Sequence, residues 1–132
     1  MEPNAIAFVS LCDEYCRTLE GARETQRADF IDTMLRLLPR IYISAFDIKP
    51  DIYLDQEVYI DQALEEDYYD AIRRNVETLM GPDDTYLDVF EEDMKYSETP
   101  VAFSISEGLA DLFQVFYNFL NTVRDTTDET VS

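Results

Sequence analysis

The chain has 132 residues, of which 46% are apolar and 13% aromatic, a composition typical of one folded domain with a sizeable core. It carries 29 Asp and Glu against 10 Lys and Arg, and the net charge of −19 argues against direct binding to nucleic acid or to an anionic membrane. The sequence contains no His, which removes the serine and cysteine triads and most metal-site templates.

The start of the chain does not resemble a signal peptide, because the first twenty residues lack a basic n-region and carry Glu2, Asp13 and Glu14. No apolar run approaches the length that spans a membrane. We therefore expect a cytoplasmic protein that does not enter a membrane. Cys12 and Cys16 lie one helical turn apart, and the sequence supplies no further Cys or His to complete a metal site. We expect both thiols to be buried as small apolar groups.

Two helices are predicted in the first part of the chain. The first covers residues 4–20, with Asn4 as its N-cap and Gly21 directly after its end. The second begins near Arg27 and has a dense apolar pattern that continues in phase after Pro39. A proline inside a helix removes one backbone donor and clashes with the preceding turn, so we predict a kink at this position.

Two further helices are predicted after residue 63. Residues 64–80 carry apolar side chains on one helical face, and Gly81 followed by proline is a typical stop signal. Residues 105–124 form the widest apolar stripe of the chain, and Ser104 with Glu107 has the spacing of a capping box at its start. We predict that this last helix lies at the centre of the core.

The remaining segments have weaker patterns. Residues 51–63 are predicted to be an ordered connection, and residues 83–100 to form one or two short helical turns or an extended piece. Residues 126–132 are predicted to be a frayed acidic tail. The sequence as a whole predicts an all-α fold: a single domain over residues 1–125, packed as an irregular helical bundle with a kinked second helix and a central C-terminal helix.

Several motifs resemble a known family. They are TYLDVF at residues 85–90, DMKYS at 93–97 and SISEGLADL at 104–112, together with FVSLCDEYCRTLE at 8–20. In these motifs the chain is similar to an uncharacterised bacterial family, domain of unknown function 5063. The resemblance covers nearly the whole chain and implies a small all-α domain. It implies no activity, because the family offers no assigned catalytic residue to carry over.

A candidate interaction face combines tyrosines with a run of carboxylates. Residues 51–93 contain fifteen carboxylates and only two bases, Arg73 and Arg74. The candidate residues of this predicted face are Tyr68, Tyr69, Tyr86, Asp83, Asp84, Asp88, Glu91, Glu92 and Asp93. Carboxylates attract an Arg- or Lys-rich partner, and Tyr is enriched at binding hot spots. The alternative is a solvated face whose tyrosine rings pack inward.

Three functions are compatible with this composition. The first is a non-enzymatic interaction module whose acidic face binds a basic protein. The second is a mimic of nucleic-acid charge that occupies a DNA- or RNA-binding protein. The third is a carboxylate- or metal-dependent hydrolase, although the acidic residues 83–93 lack the glycine and spacing of an EF-hand. No cofactor is expected, because the three Gly are too far apart to form a phosphate-binding loop.

Overall fold

The computed structural model describes residues 2–48, 62–88 and 101–131, with side chains for all of these except 87–88, 101–102 and 126–131. Within these ranges, the helices are α1 (Pro3–Glu20), α2 (Arg27–Asp47), α3 (Glu66–Met80) and α4 (Ile105–Val131). A small sheet contains β1 (Thr85–Asp88) and β2 (Val101–Ser104), and short 3₁₀ turns follow α1 and α3. The predicted helical bundle is confirmed.

The helices pack around α4 and α1. Helix α1 contacts both α2 and α4, and α3 packs against α4. Phe8, near the start of α1, contacts Phe119 in the middle of α4, whereas Tyr15, further along α1, donates a hydrogen bond to the Leu109 carbonyl near the beginning of α4. The two helices are therefore antiparallel, and their aromatic side chains form the centre of the bundle.

The core confirms the predicted position of α4. Phe113 is fully buried, and Phe116 contacts the Tyr15 ring edge-to-face with 5.2 Å between ring centroids. Cys12 and Cys16 are buried in the same cluster, as predicted, with 0% and 3% of their surface exposed. A buried aromatic side chain removes roughly 150–250 Å² from water, so these contacts dominate the stability of the bundle.

Local signals located some helix ends and missed others. Helix α1 begins at Pro3, so the prediction of Asn4 as N-cap is wrong. Proline suits the first helical position because its fixed φ is already helical and its missing N–H needs no partner. The Asn4 amide donates instead to the Asp47 carbonyl at the end of α2. Helix α2 continues through Pro39 without a break.

The start of helix α3 lies beside a partner distant in sequence, whereas the ends of α3 and α4 follow from local residues. Helix α3 begins at Glu66, later than predicted, and just before it the Asn118 Oδ1 atom accepts the N–H groups of Ala63 and Leu64 at 2.9 Å each. It stops at Gly81 as predicted, where φ is +59° and only glycine is free of strain. The last helix continues past residue 124 to Val131, into the predicted tail, because no Gly or Pro follows to end it.

The small sheet was not predicted as a pair. Residues 85–88 are extended, which is one of the two predicted possibilities, and they pair antiparallel with residues 101–104. Tyr86 lies opposite Phe103 in this register. The two strands are separated by residues 89–100, and neither carries a local pattern that specifies its partner. The predictions for residues 51–61 and 89–100 concern parts of the chain outside the described residues. No helix among the described ranges has the length and apolar character needed to cross a membrane.

Candidate functional site

Asp84 is a buried carboxylate at the junction of α3 and β1. Its Oδ1 atom accepts the backbone N–H of Ser106 at 2.7 Å, and its Oδ2 atom accepts the hydroxyls of Ser106 and Ser104 at 2.7 and 3.0 Å. The first N–H groups of a helix lack intrahelical partners and form the positive end of its dipole. Asp84 therefore caps α4 from a distant part of the chain, and its carboxylate points into the fold.

The predicted capping residue Ser104 acts beside it. The N–H of Glu107 donates to the Ser104 Oγ atom at 3.3 Å, which is the serine half of the predicted capping box. The start of α4 thus has one cap that is local in sequence and one that is supplied by tertiary structure. Only the local cap has a recognisable sequence signal.

Tyr68 and Tyr69 each hold a carboxylate of a neighbouring helix. The Tyr68 hydroxyl donates to Glu20 at the end of α1, and the Tyr69 hydroxyl donates to Asp111 of α4 at 2.6 Å. Burial, followed by the bond to Glu20, raises the pKa of Tyr68. Burial and the bond to Asp111 raise the pKa of Tyr69 to about 12. Both phenols therefore remain protonated donors at neutral pH.

Among the described site residues, Asp83 and Tyr86 contact partners other than these two tyrosines. Asp83 forms an exposed ion pair with Arg27 at 2.9 Å, and the same guanidinium also donates to the Met80 carbonyl at the end of α3. Tyr86 is 42% exposed and stacks on Phe103 with 5.6 Å between ring centroids. The Asp88 side chain and residues 91–93 (Glu91, Glu92 and Asp93) lie outside the described part of the structure.

The charge on α3 is balanced in its middle and acidic at its start. Arg73 pairs with both Asp70 and Glu77, and Arg74 pairs with Asp70. Hydrogen bonds from Arg74 and Arg73 lower the pKa of Asp70. The exposed carboxylates before and within the first turn of α3 are Glu65, Glu66 and Asp67. The excess negative charge therefore lies at the N-terminal end of α3.

A second exposed surface lies on α2 and was missed at the sequence level. Its large apolar side chains are Leu35, Tyr42, Ile43 and Phe46, which are 69%, 67%, 61% and 74% exposed. We call these four residues the outer face of α2. The opposite side of the helix buries Phe30, Met34, Leu37 and Ile41. The signal was present, because α2 carries more apolar positions than one buried face accommodates.

Metal-ligating groups and the two cysteine thiols are the remaining candidates for chemistry among the described side chains. Among the described side chains of residues 2–48, 62–86 and 103–125, no three Cys, Asp or Glu are grouped so that they could hold a metal ion. Burial raises the pKa of Cys12 to about 12, and burial with nearby Cys12, Glu20 and Asp13 does the same for Cys16. Such thiols remain protonated at neutral pH and are poor nucleophiles.

Comparison with known proteins supports the fold. The structure is similar to the crystal structure of protein BF1032 from Bacteroides fragilis, Northeast Structural Genomics Consortium Target BfR309, with a TM-score of 0.71 and 26% sequence identity. The match covers 93% of this chain and 70% of that one. No curated protein matches the chain. The model of the family described as Domain of unknown function (DUF5063) matches residues 1–132, the whole chain, which confirms the resemblance found in the motifs.

Proposed function

This chain belongs to the family Domain of unknown function (DUF5063), and from its surface we propose that it is an acidic interaction module for an Arg- or Lys-rich protein. The observation that carries the proposal is the pair of tyrosine-held carboxylates beside α3. Tyr68 and Tyr69 are consecutive, so they point about 100° apart around the helix. Their partners Glu20 and Asp111 therefore flank α3 on two sides.

Three more exposed carboxylates, Glu65, Glu66 and Asp67, directly precede Tyr68 at the start of α3. Together with Glu20 and Asp111 they form the acidic face, a name used from here on for the exposed carboxylates Glu20, Glu65, Glu66, Asp67 and Asp111. A flexible carboxylate loses rotational freedom when it binds, and that loss weakens association. Hydrogen bonds from tyrosine hydroxyls restrict Glu20 and Asp111 before any partner arrives. This favours bidentate pairing with Arg guanidinium groups, which requires a fixed geometry.

The proposal is tested with a labelled Arg-rich peptide titrated with the protein, using fluorescence anisotropy at low and moderate salt. The key variant is Tyr68→Phe with Tyr69→Phe, which frees both carboxylates and leaves the net charge unchanged. We expect the dissociation constant of this variant for the peptide to rise about 3- to 10-fold, which corresponds to the net free energy of about one hydrogen bond. Tyr42→Phe is the matched control, because it removes the same hydroxyl from the exposed side of α2 and should bind as the wild type does.

Two other binding results would reject the fixed-carboxylate module or favour the charge mimic. Equal binding by the double variant and the wild type would show that any attraction is unspecific and would reject the fixed-carboxylate module. If instead every removed carboxylate has the same modest effect and duplex DNA competes for the captured protein partner, the face acts as a mimic of nucleic-acid charge. In both binding cases the affinity should fall with rising salt, because the contacts are between opposite charges.

A further inference from the structure

We propose that the outer face of α2 is the interface of a symmetric dimer formed with a second copy of this chain. Leu35, Pro39, Tyr42 and Phe46 are spaced by four, three and four residues along the exposed side of the helix. This spacing is the narrow seam by which two helices pack side by side in a coiled coil. Helix α2 thus has one apolar side for its own core and a second one for a partner.

The charge around this face indicates which partner fits. Residues 33–46 contain no Asp or Glu, although the chain has 29 in total. The same stretch contains Arg36 and Arg40, two of only 10 basic residues, and Arg36 pairs at 3.3 Å with Asp32, the carboxylate just before this stretch. A second copy also carries a charge of −19, so it is repelled from acidic surfaces and approaches closely only where acids are missing on both copies. Between Leu35 and Phe46 the outer face of α2 meets this condition, and Asp32 just before it is paired with Arg36.

The face is also complementary to itself. In a two-fold symmetric interface the same patch is used by both copies, so residue i meets residue j and j meets i. An antiparallel pair of α2 helices with its axis between Pro39 and Tyr42 places Leu35 opposite Phe46 of the second copy. Pro39 then lies opposite Tyr42. In each pair a side chain of one residue type faces a side chain of another type on the second copy. Within one copy, Tyr42 and Phe46 contact each other edge-to-face at 5.0 Å between ring centroids.

The available area predicts a weak, reversible dimer. An aromatic side chain offers roughly 150–250 Å², of which about two-thirds is exposed at Tyr42 and Phe46. With Leu35 and Ile43, the face supplies roughly 400–500 Å² per copy, or about 800–1,000 Å² in total, near the lower limit of specific interfaces. An interface of this size is typical of weak, transient association, so we expect the fraction of dimer to depend on protein concentration.

Salt should affect dimerisation and the binding of a basic partner in opposite directions. Screening weakens the attraction between an acidic face and a basic partner, whereas it relieves the repulsion between two copies of one acidic protein. Dimerisation through an apolar face should therefore strengthen as salt rises. The two surfaces lie on different helices, so either proposal stands or fails without the other.

Sedimentation velocity across about 5–300 μM protein, at 20 and 300 mM NaCl, tests the dimer. We expect the dimer fraction to grow with protein concentration and to be larger at high salt. Phe46→Glu should leave the protein monomeric across the range, with an unchanged circular dichroism spectrum because the side chain is exposed. Val115→Glu is the matched control, because it adds the same charge at a position on α4 that is 58% exposed. This variant should dimerise as the wild type does.

Cross-linking tests the antiparallel arrangement. A mixture of Leu35→Cys and Phe46→Cys should form a disulfide-linked heterodimer under mild oxidation faster than either variant links to itself. The native thiols do not interfere, because Cys12 and Cys16 are buried. A wild type that is monomeric at every concentration, dimerisation of Phe46→Glu at wild-type strength, or faster self-linking of each cysteine variant would overturn the proposal.

Discussion

A single buried carboxylate, Asp84, joins the end of α3 to the start of α4. We expect Asp84→Ala to lower the free energy of unfolding by about 2–3 kcal/mol, because it removes a helix cap and leaves buried donors without an acceptor. Urea denaturation measures this loss. Asp83→Ala is the neighbouring control, and its exposed ion pair with Arg27 predicts a change of only about 0–1 kcal/mol. Equal losses in the two variants would contradict the capping role of Asp84.

The two buried thiols predict how stability depends on alkaline pH. The pKa of Cys12 and of Cys16 rises from 9.0 to about 12 on folding. Below pH 9 both thiols are protonated in the folded and the unfolded chain, and their contribution to stability is fully present. Between pH 9 and about 12 the unfolded chain releases protons that the folded chain retains, so the contribution is lost progressively.

We therefore expect the free energy of unfolding to fall by about 1 kcal/mol per thiol for each pH unit above 9. Urea denaturation at pH 8, 9 and 10 measures the slope. The variant with Cys12→Ala and Cys16→Ala should have a lower stability throughout, because it loses buried volume, but a flatter dependence on pH. A wild type that is equally stable at pH 8 and pH 10 would refute the prediction.

At the scale of elements, the aromatic face of α4 should carry much of the stability of the bundle. Phe116 is 9% exposed and packs against Phe8 and Tyr15. We expect Phe116→Ala to reduce the free energy of unfolding by about 3–5 kcal/mol, through lost burial and the cavity that remains. Val115→Ala, the adjacent exposed position, should cost about 0.5 kcal/mol or less. Similar losses in both variants would show that α4 is not central to the core.

The helix ends show which signals act within an element. Gly81 and Ser104 were recognised because a left-handed residue and a serine cap act on groups a few residues away. Asn4 failed as a cap because Pro3 already provided a favourable first helical residue. The start of α3 was placed too early, and Asn118, which binds the N–H of Leu64 just before that start, is 54 positions away in the sequence. An element's interior is therefore more predictable than its ends.

At the scale of the whole molecule, the net charge of −19 should make stability depend on ionic strength. Raising NaCl from about 10 to 300 mM shortens the screening length several-fold and reduces the repulsion among carboxylates. We expect the melting temperature to rise by several degrees over this range. The variant with Glu65→Gln, Glu66→Gln and Asp67→Asn should show a smaller rise. A melting temperature that falls with salt would mean that surface ion pairs outweigh the repulsion.

The sequence by itself determined the helical class, the central position of the last helix and the burial of Cys12 and Cys16. Apolar periodicity and capping depend on residues within about one turn of each other, so they are visible in the sequence. The sequence also indicated Tyr68 and Tyr69 as members of a candidate interaction face, but it did not indicate which residues their hydroxyls bind.

Only the tertiary structure decided that these tyrosines bind Glu20 and Asp111, that Asp84 caps α4, that β1 pairs with β2, and that the outer face of α2 is exposed. Each of these depends on which distant segment arrives at a given position. A carboxylate looks the same in the sequence whether it is solvated or buried against a helix end, and an apolar side chain looks the same whether a neighbouring helix covers it or leaves it free. Those outcomes are set by the packing of the whole chain.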